Sequence, residues 1–115
     1  MRRVVVTGLG LVTPLASGVE ATWSRLIAAR SGVRPSEACD VSDLPARIAG
    51  QVPRGEGEGE FKATDYVEAK DLRKNDEFIV YGIAAAAQAS ADSGWEPASD
   101  EERERAGVLI GSGIG

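Results

Sequence analysis

Two short apolar runs, each leading straight into glycine, set the strongest limit on how this chain can fold. Arg3–Gly8 reads RVVVTG, and Gly107–Ile110 reads GVLI before the closing GSGIG. Neither run alternates apolar with polar residues. That pattern suits a short strand covered on both faces, as in a parallel sheet. Arg47–Val52, RIAGQV, is a weaker candidate for a minor strand. With helical stretches between them, the expected order is strand, helix, minor strand, helix, strand, an α/β pattern. A sheet with so few strands would leave edges and faces uncovered. Residues 1–115 are therefore expected to be one incomplete part of a larger domain.

The first helix is marked at its start. Ser17-Gly18-Val19-Glu20 has the form of a capping box, in which a serine hydroxyl and a glutamate satisfy free amides of the first turn. Val19, Trp23, Leu26 and Ile27 then fall on one helical face, with Thr22 beside them, its hydroxyl able to bond a carbonyl one turn back. Gly32 is expected to end the helix in the left-handed conformation. Residues 31–43 are irregular. Arg54–Glu60, RGEGEGE, has high backbone entropy and nothing to bury, and reads as a mobile surface loop. Tyr66–Lys74 reads as a polar helix. Asn75 or Asp76 can cap a longer helix carrying Phe78, Ile79, Ile83, Ala86, Ala87 and Ala89, with Gly94 after its last turn. Ser99-Asp100-Glu101-Glu102 signals one more short helical turn.

Composition removes several classes of chemistry. The chain has no histidine, so a histidine triad, general base or metal ligand is excluded within it. Its net charge of −5 argues against non-specific nucleic-acid binding, which draws on a basic surface. Cys39 is the single cysteine, so no internal disulfide forms. Its acidic neighbours Glu37 and Asp40 and the lack of histidine argue against a nucleophilic role. The N-terminal apolar run is broken by Gly8, Gly10, Thr13 and Pro14, which fits a strand and turn better than a signal peptide. No apolar run approaches membrane-spanning length. No cofactor or metal is expected, and the expected location is cytoplasmic.

Three motifs invite a ligand. VVVTGLGLVT has the first two glycines of a dinucleotide fingerprint, Gly8 and Gly10, but Thr13 stands in the third glycine's place, and the plainer reading is a strand-ending turn. GSGIG lacks the Lys-Ser or Lys-Thr of a phosphate-binding loop. It is either an anion-binding turn or a tight bend where a backbone or ligand comes close. Lys70, Arg73 and Lys74 share one face of a helix, at i, i+3 and i+4. That cluster is either a patch that steers an acidic partner or an ordinary solvated face.

Three stretches, in order, carry a resemblance. RRVVVTGLGLVTPLASGVEATWSRLIAARSGV resembles the N-terminus of the β-ketoacyl-acyl-carrier-protein synthases of the type II elongating class. AKDLRKNDEFIVYGIAAAAQASADSGW is similar to that family's basic segment and following helix, and GVLIGSGIG to the strand and glycine loop after it. The fit is weaker over residues 35–68. The resemblance implies a thiolase-like, layered α-β-α-β-α fold, of which this chain holds an incomplete N-terminal part. It implies a decarboxylative condensation in fatty-acid elongation. A polyketide ketosynthase, its cysteine-lacking partner subunit, or a stand-alone nucleotide- or anion-binding module are the alternatives. By resemblance, Lys70, Arg73 and Lys74 dock the acyl-carrier protein, Ile114 gates the acyl pocket, and the full-length enzyme is a homodimer. The family's nucleophilic cysteine, its two histidines and its lysine lie beyond Gly115, so no catalytic residue is expected here and the segment alone should be inactive.

Overall fold

Backbone pairing in this protein is sparse, and most of its regular structure is helical. The computed structural model describes residues 1–113. The chain divides into two compact units, Leu11–Lys62 and a second made of Met1–Gly10 with Ala63–Gly115.

The unit of residues 11–62 begins with a turn anchored on Thr13, whose Oγ1 accepts from the amides of Leu15 and Ala16 and donates to the Ala16 carbonyl. Helix α1 follows, Val19–Ile27. Its N-cap is Gly18, at φ 95°, and no side chain caps it. This corrects the expected capping box, because the Ser17 amide that Glu20 was to satisfy donates instead to the Gly59 carbonyl at 2.9 Å. Burial is uneven along the expected face of α1. Thr22 is buried, while Trp23, Leu26 and Ile27 are each more than half exposed. The Thr22 hydroxyl lies 3.2 Å from the Ala16 carbonyl and 3.3 Å from Thr13 Oγ1, outside its own helix. The Thr22 hydroxyl is thus satisfied by the preceding turn, while Trp23, Leu26 and Ile27 stay uncovered within the described residues. The helix ends on Ala28, and the left-handed residue after it is Ala29, at φ 52°, not Gly32. Gly32 serves a close approach: a β-carbon there would stand 2.8 Å from the Pro14 backbone.

Strands β1, Val33–Pro35, and β2, Ile48–Gly50, form an antiparallel pair with Arg34 opposite Ala49. The minor strand expected in RIAGQV is β2. The pair is stitched further by the Arg34 guanidinium donating to the Gln51 carbonyl and the Glu37 amide donating to Gln51 Oε1. The glycine-glutamate segment makes more internal contacts than its composition suggests. Arg54 and Phe61 bridge its ends, the Glu60 carboxylate accepts from the Gly57 amide at 2.9 Å, and Phe61 is buried. Backbone and carboxylate acceptors replace the apolar burial that its composition lacks.

The second unit centres on α3, Glu77–Ser93, the longest helix. A 3-10 turn, Ala63–Asp65, and the short α2, Ala69–Leu72, precede it, and α4, Asp100–Glu104, follows. Asp76 occupies the N-cap of α3 without a side-chain cap bond, and Asn75 instead donates to the Asp71 carbonyl. Gly94 ends α3 at φ 61°, the left-handed cap its position suggested. Val80 and Ala84 are buried, whereas Phe78, Ile79 and Ile83 are partly exposed. The capping signature at α4 holds: Ser99 Oγ accepts from the Glu102 amide, and the Glu102 carboxylate accepts from the Ala98 amide.

Neither apolar run is a strand in this structure. Arg3–Gly8 and Gly107–Ile110 have no ladder partner, and Val4–Val6 and Val108–Ile110 are exposed. The one sheet among the described residues is the antiparallel β1–β2 pair, not a parallel sheet. A β-branched run records a preference for extended backbone, but a strand exists only where a second backbone supplies donors and acceptors.

Candidate functional site

The basic cluster falls on α2 and the turn that closes it. Helix α2 is only four residues long, so the expected polar helix over Tyr66–Lys74 is shorter than the sequence suggests. Lys70 lies within it, Arg73 is its C-cap in the right-handed helical region, and Lys74 follows in the turn, its amide bonded to the Asp71 carbonyl. The three are brought together on one short, exposed segment. They are not equivalent. Lys70 Nζ is 2.6 Å from Glu68 Oε2, and Lys74 Nζ is 3.2 Å from Asp71 Oδ1. No ion pair or side-chain hydrogen bond engages Arg73 among the described residues. Its guanidinium is therefore the most available cation of the cluster. The acidic partners Glu68 and Asp71 have no place in the sequence reading, although the i, i+3 spacing of Asp71 and Lys74 signals one pair.

The two glycines of VVVTGLG have a defined job. A β-carbon at Gly8 would overlap the Ala89 carbonyl oxygen and stand 2.7 Å from the Ser93 nitrogen. One at Gly10 would overlap the Ala85 carbonyl oxygen. Both glycines let the N-terminal segment lie directly on the backbone of α3. Between them the Leu9 amide donates to Asp92 Oδ2 at 2.8 Å. The amide a phosphate would use is thus occupied by a carboxylate, and helix carbonyls face the glycines where a pyrophosphate would need donors. This arrangement opposes the dinucleotide reading.

Cys39 is a free, exposed thiol. Close by, the Ser42 amide, and then the Ser42 hydroxyl, hold the Asp40 carboxyl below its ordinary range. Ile114 lies outside the described residues. Gly111–Gly113, the part of its loop that is described, is exposed. Trp95, Glu102, Arg105, Ala106 and Gly107 line an open depression. Among the described residues no three histidine, cysteine, aspartate or glutamate side chains come together as a metal site, and no helix is long and apolar enough to cross a membrane.

The N-terminal domain of the β-ketoacyl synthases matches this chain across residues 1–115. The chain belongs to the β-ketoacyl synthase family. It is 53% identical to 3-oxoacyl-[acyl-carrier-protein] synthase 2 of Rhizobium meliloti, over 100% of this chain and 28% of that protein. It is 46% identical to the synthase 2 of Vibrio harveyi, over 99% of this chain and 26% of that protein. A mitochondrial synthase of Arabidopsis thaliana is 41% identical, over 99% of this chain and 27% of its own length. The chain therefore spans little more than a quarter of these relatives.

Proposed function

We propose that this chain forms the N-terminal part of a 3-oxoacyl-acyl-carrier-protein synthase acting in fatty-acid elongation. The observation that carries the reading is the family match along residues 1–115. In the proposed reaction an acyl group rests as a thioester on an enzyme cysteine outside this chain. Malonyl-carrier protein loses its free carboxylate as carbon dioxide, and the electron pair left on the α-carbon attacks the thioester carbonyl. A carbon–carbon bond forms, the cysteine thiolate leaves, and a 3-oxoacyl-carrier protein results.

The layered α-β-α-β-α core belongs to the same reading. In it, Val4–Val6 and Val108–Ile110 become strands once neighbouring backbone covers them. Their exposure here, and the seating of Gly8 and Gly10 on α3, support this. Lys70, Arg73 and Lys74 form the docking surface for the acidic carrier protein, supported by their exposure on one short segment. Ile114 gates the acyl pocket. The enzyme works as a cytoplasmic homodimer. Residues 1–115 alone hold no histidine and are inactive.

The test is a condensation assay. Full-length protein given acyl- and malonyl-carrier protein should release carbon dioxide and form 3-oxoacyl-carrier protein, while residues 1–115 alone should do neither. Absence of both products from the full-length protein would refute the reading.

A further inference from the structure

Two of the three docking cations already hold a carboxylate. Lys70 is paired with Glu68 at 2.6 Å, and Lys74 with Asp71 at 3.2 Å. Both pairs are exposed, with the Asp71 side chain the most sheltered at 38%. Neither acid has another structural duty among the described residues. Glu68 sits at the N-cap of α2 but makes no side-chain cap bond, and the Asp71 contacts with Asn75 and the Lys74 amide use its backbone carbonyl. Residues 68–77 hold three cations, Lys70, Arg73 and Lys74, against four anions, Glu68, Asp71, Asp76 and Glu77. The docking segment is thus close to neutral, although the resemblance singles out its cations.

We propose that Glu68 and Asp71 are internal stand-ins for the carboxylates of the acidic carrier protein. Arg73 makes the first contact, and Lys70 and Lys74 then exchange an internal carboxylate for one on the carrier. This rests on the docking reading given above. Exposed ion pairs contribute little each, so the exchange is nearly balanced in free energy. Its consequence is binding weaker than three free cations would give, and faster release, because each lysine has a partner waiting. A near-neutral segment also attracts other polyanions less than a bare basic patch does. A carrier protein that must leave after each transfer is suited by such a surface.

The experiment measures affinity of the full-length synthase for holo-acyl-carrier protein by fluorescence anisotropy at low and high salt. Glu68→Gln and Asp71→Asn should each tighten binding by about 2- to 5-fold at low salt. The gain should fade as salt screens exposed charge. In a Lys70→Met background, Glu68→Gln should lose most of its effect, as should Asp71→Asn in a Lys74→Met background. Unchanged or weaker binding by both acid variants would overturn the proposal. So would equal tightening in the lysine-deleted backgrounds, which would mean simple repulsion of the carrier and no exchange of partners. Lys70→Glu, Arg73→Glu and Lys74→Glu separate the two levels. If these weaken binding while the acid variants do nothing, docking stands and the exchange fails. If the reversals too leave affinity unchanged, the docking reading fails and takes the exchange with it.

Discussion

Gly10 lies so close to α3 that a β-carbon there would overlap the carbonyl oxygen of Ala85 and stand 2.8 Å from the amide nitrogen of Ala89. Both obstacles are helix backbone, which cannot swing aside as a side chain would. Gly10→Ala must push the N-terminal segment off α3, and the expected loss is about 3 kcal/mol or more. Thermal or urea denaturation of the substituted protein measures it. If the glycines served a ligand instead, the substitution would leave stability unchanged.

The sequence shows where glycine is needed here more clearly than it shows why. VVVTGLG looks the same whether its glycines make room for a pyrophosphate or for a helix, because the missing side chain is common to both. Helix ends governed by local chemistry are plain in it: Gly94 ends α3, and Ser99 with Glu102 caps α4. Features set by distant partners are not. The Ser17 amide goes to Gly59, forty-two residues along the chain. Nothing in the capping signature at Ser17 points there. The cations at Lys70, Arg73 and Lys74 are evident from spacing, but the pairing of Lys70 with Glu68 depends on the turn that opens α2.

Two other glycines should separate conformational strain from crowding. Neither Gly18, at φ 95° and ψ 150°, nor Gly94, at φ 61° and ψ 13°, has an atom within 4 Å of where a β-carbon would sit. The cost of alanine at each is therefore that of the backbone conformation alone. Gly94 is left-handed helical, a region alanine enters at about 1 kcal/mol and asparagine more readily. Gly18 occupies a region that is almost exclusively glycine's, at a cost of up to about 3 kcal/mol. Gly18→Ala should therefore lower the melting temperature more than Gly94→Ala, and Gly94→Asn least of all. An equal loss at both sites would contradict these backbone angles.

At Ile114 the expectation comes from the resemblance. A branched side chain between glycines has room to move, and a larger ring in its place should narrow the acyl pocket. Ile114→Phe in the full-length enzyme should shorten the longest acyl-carrier substrate accepted while sparing short ones. Chain-length profiling of the products would show this, and an unaltered profile would remove Ile114 from the gate.

Arg25 ties three parts of its unit together. Its guanidinium donates to the Leu15 carbonyl and, at 2.8 Å, to the Glu58 carbonyl, while Gly59 packs against the same group. One planar fork thereby joins α1, the Thr13 turn and the glycine-glutamate loop. A lysine has a single ammonium, whose donors cannot match the fork's spread. Arg25→Lys should release Glu58 or Leu15, and the loop over residues 54–61 should open more often. Amide exchange reads this directly. The Gly57 and Phe61 amides, which bond the Glu60 carboxylate and the Pro53 carbonyl, should exchange faster in the variant. The β1–β2 pair, with no contact to Arg25 in this bonding scheme, should be protected as before. Uniformly faster exchange would mean that Arg25 supports the whole unit, and unchanged exchange that the loop holds itself.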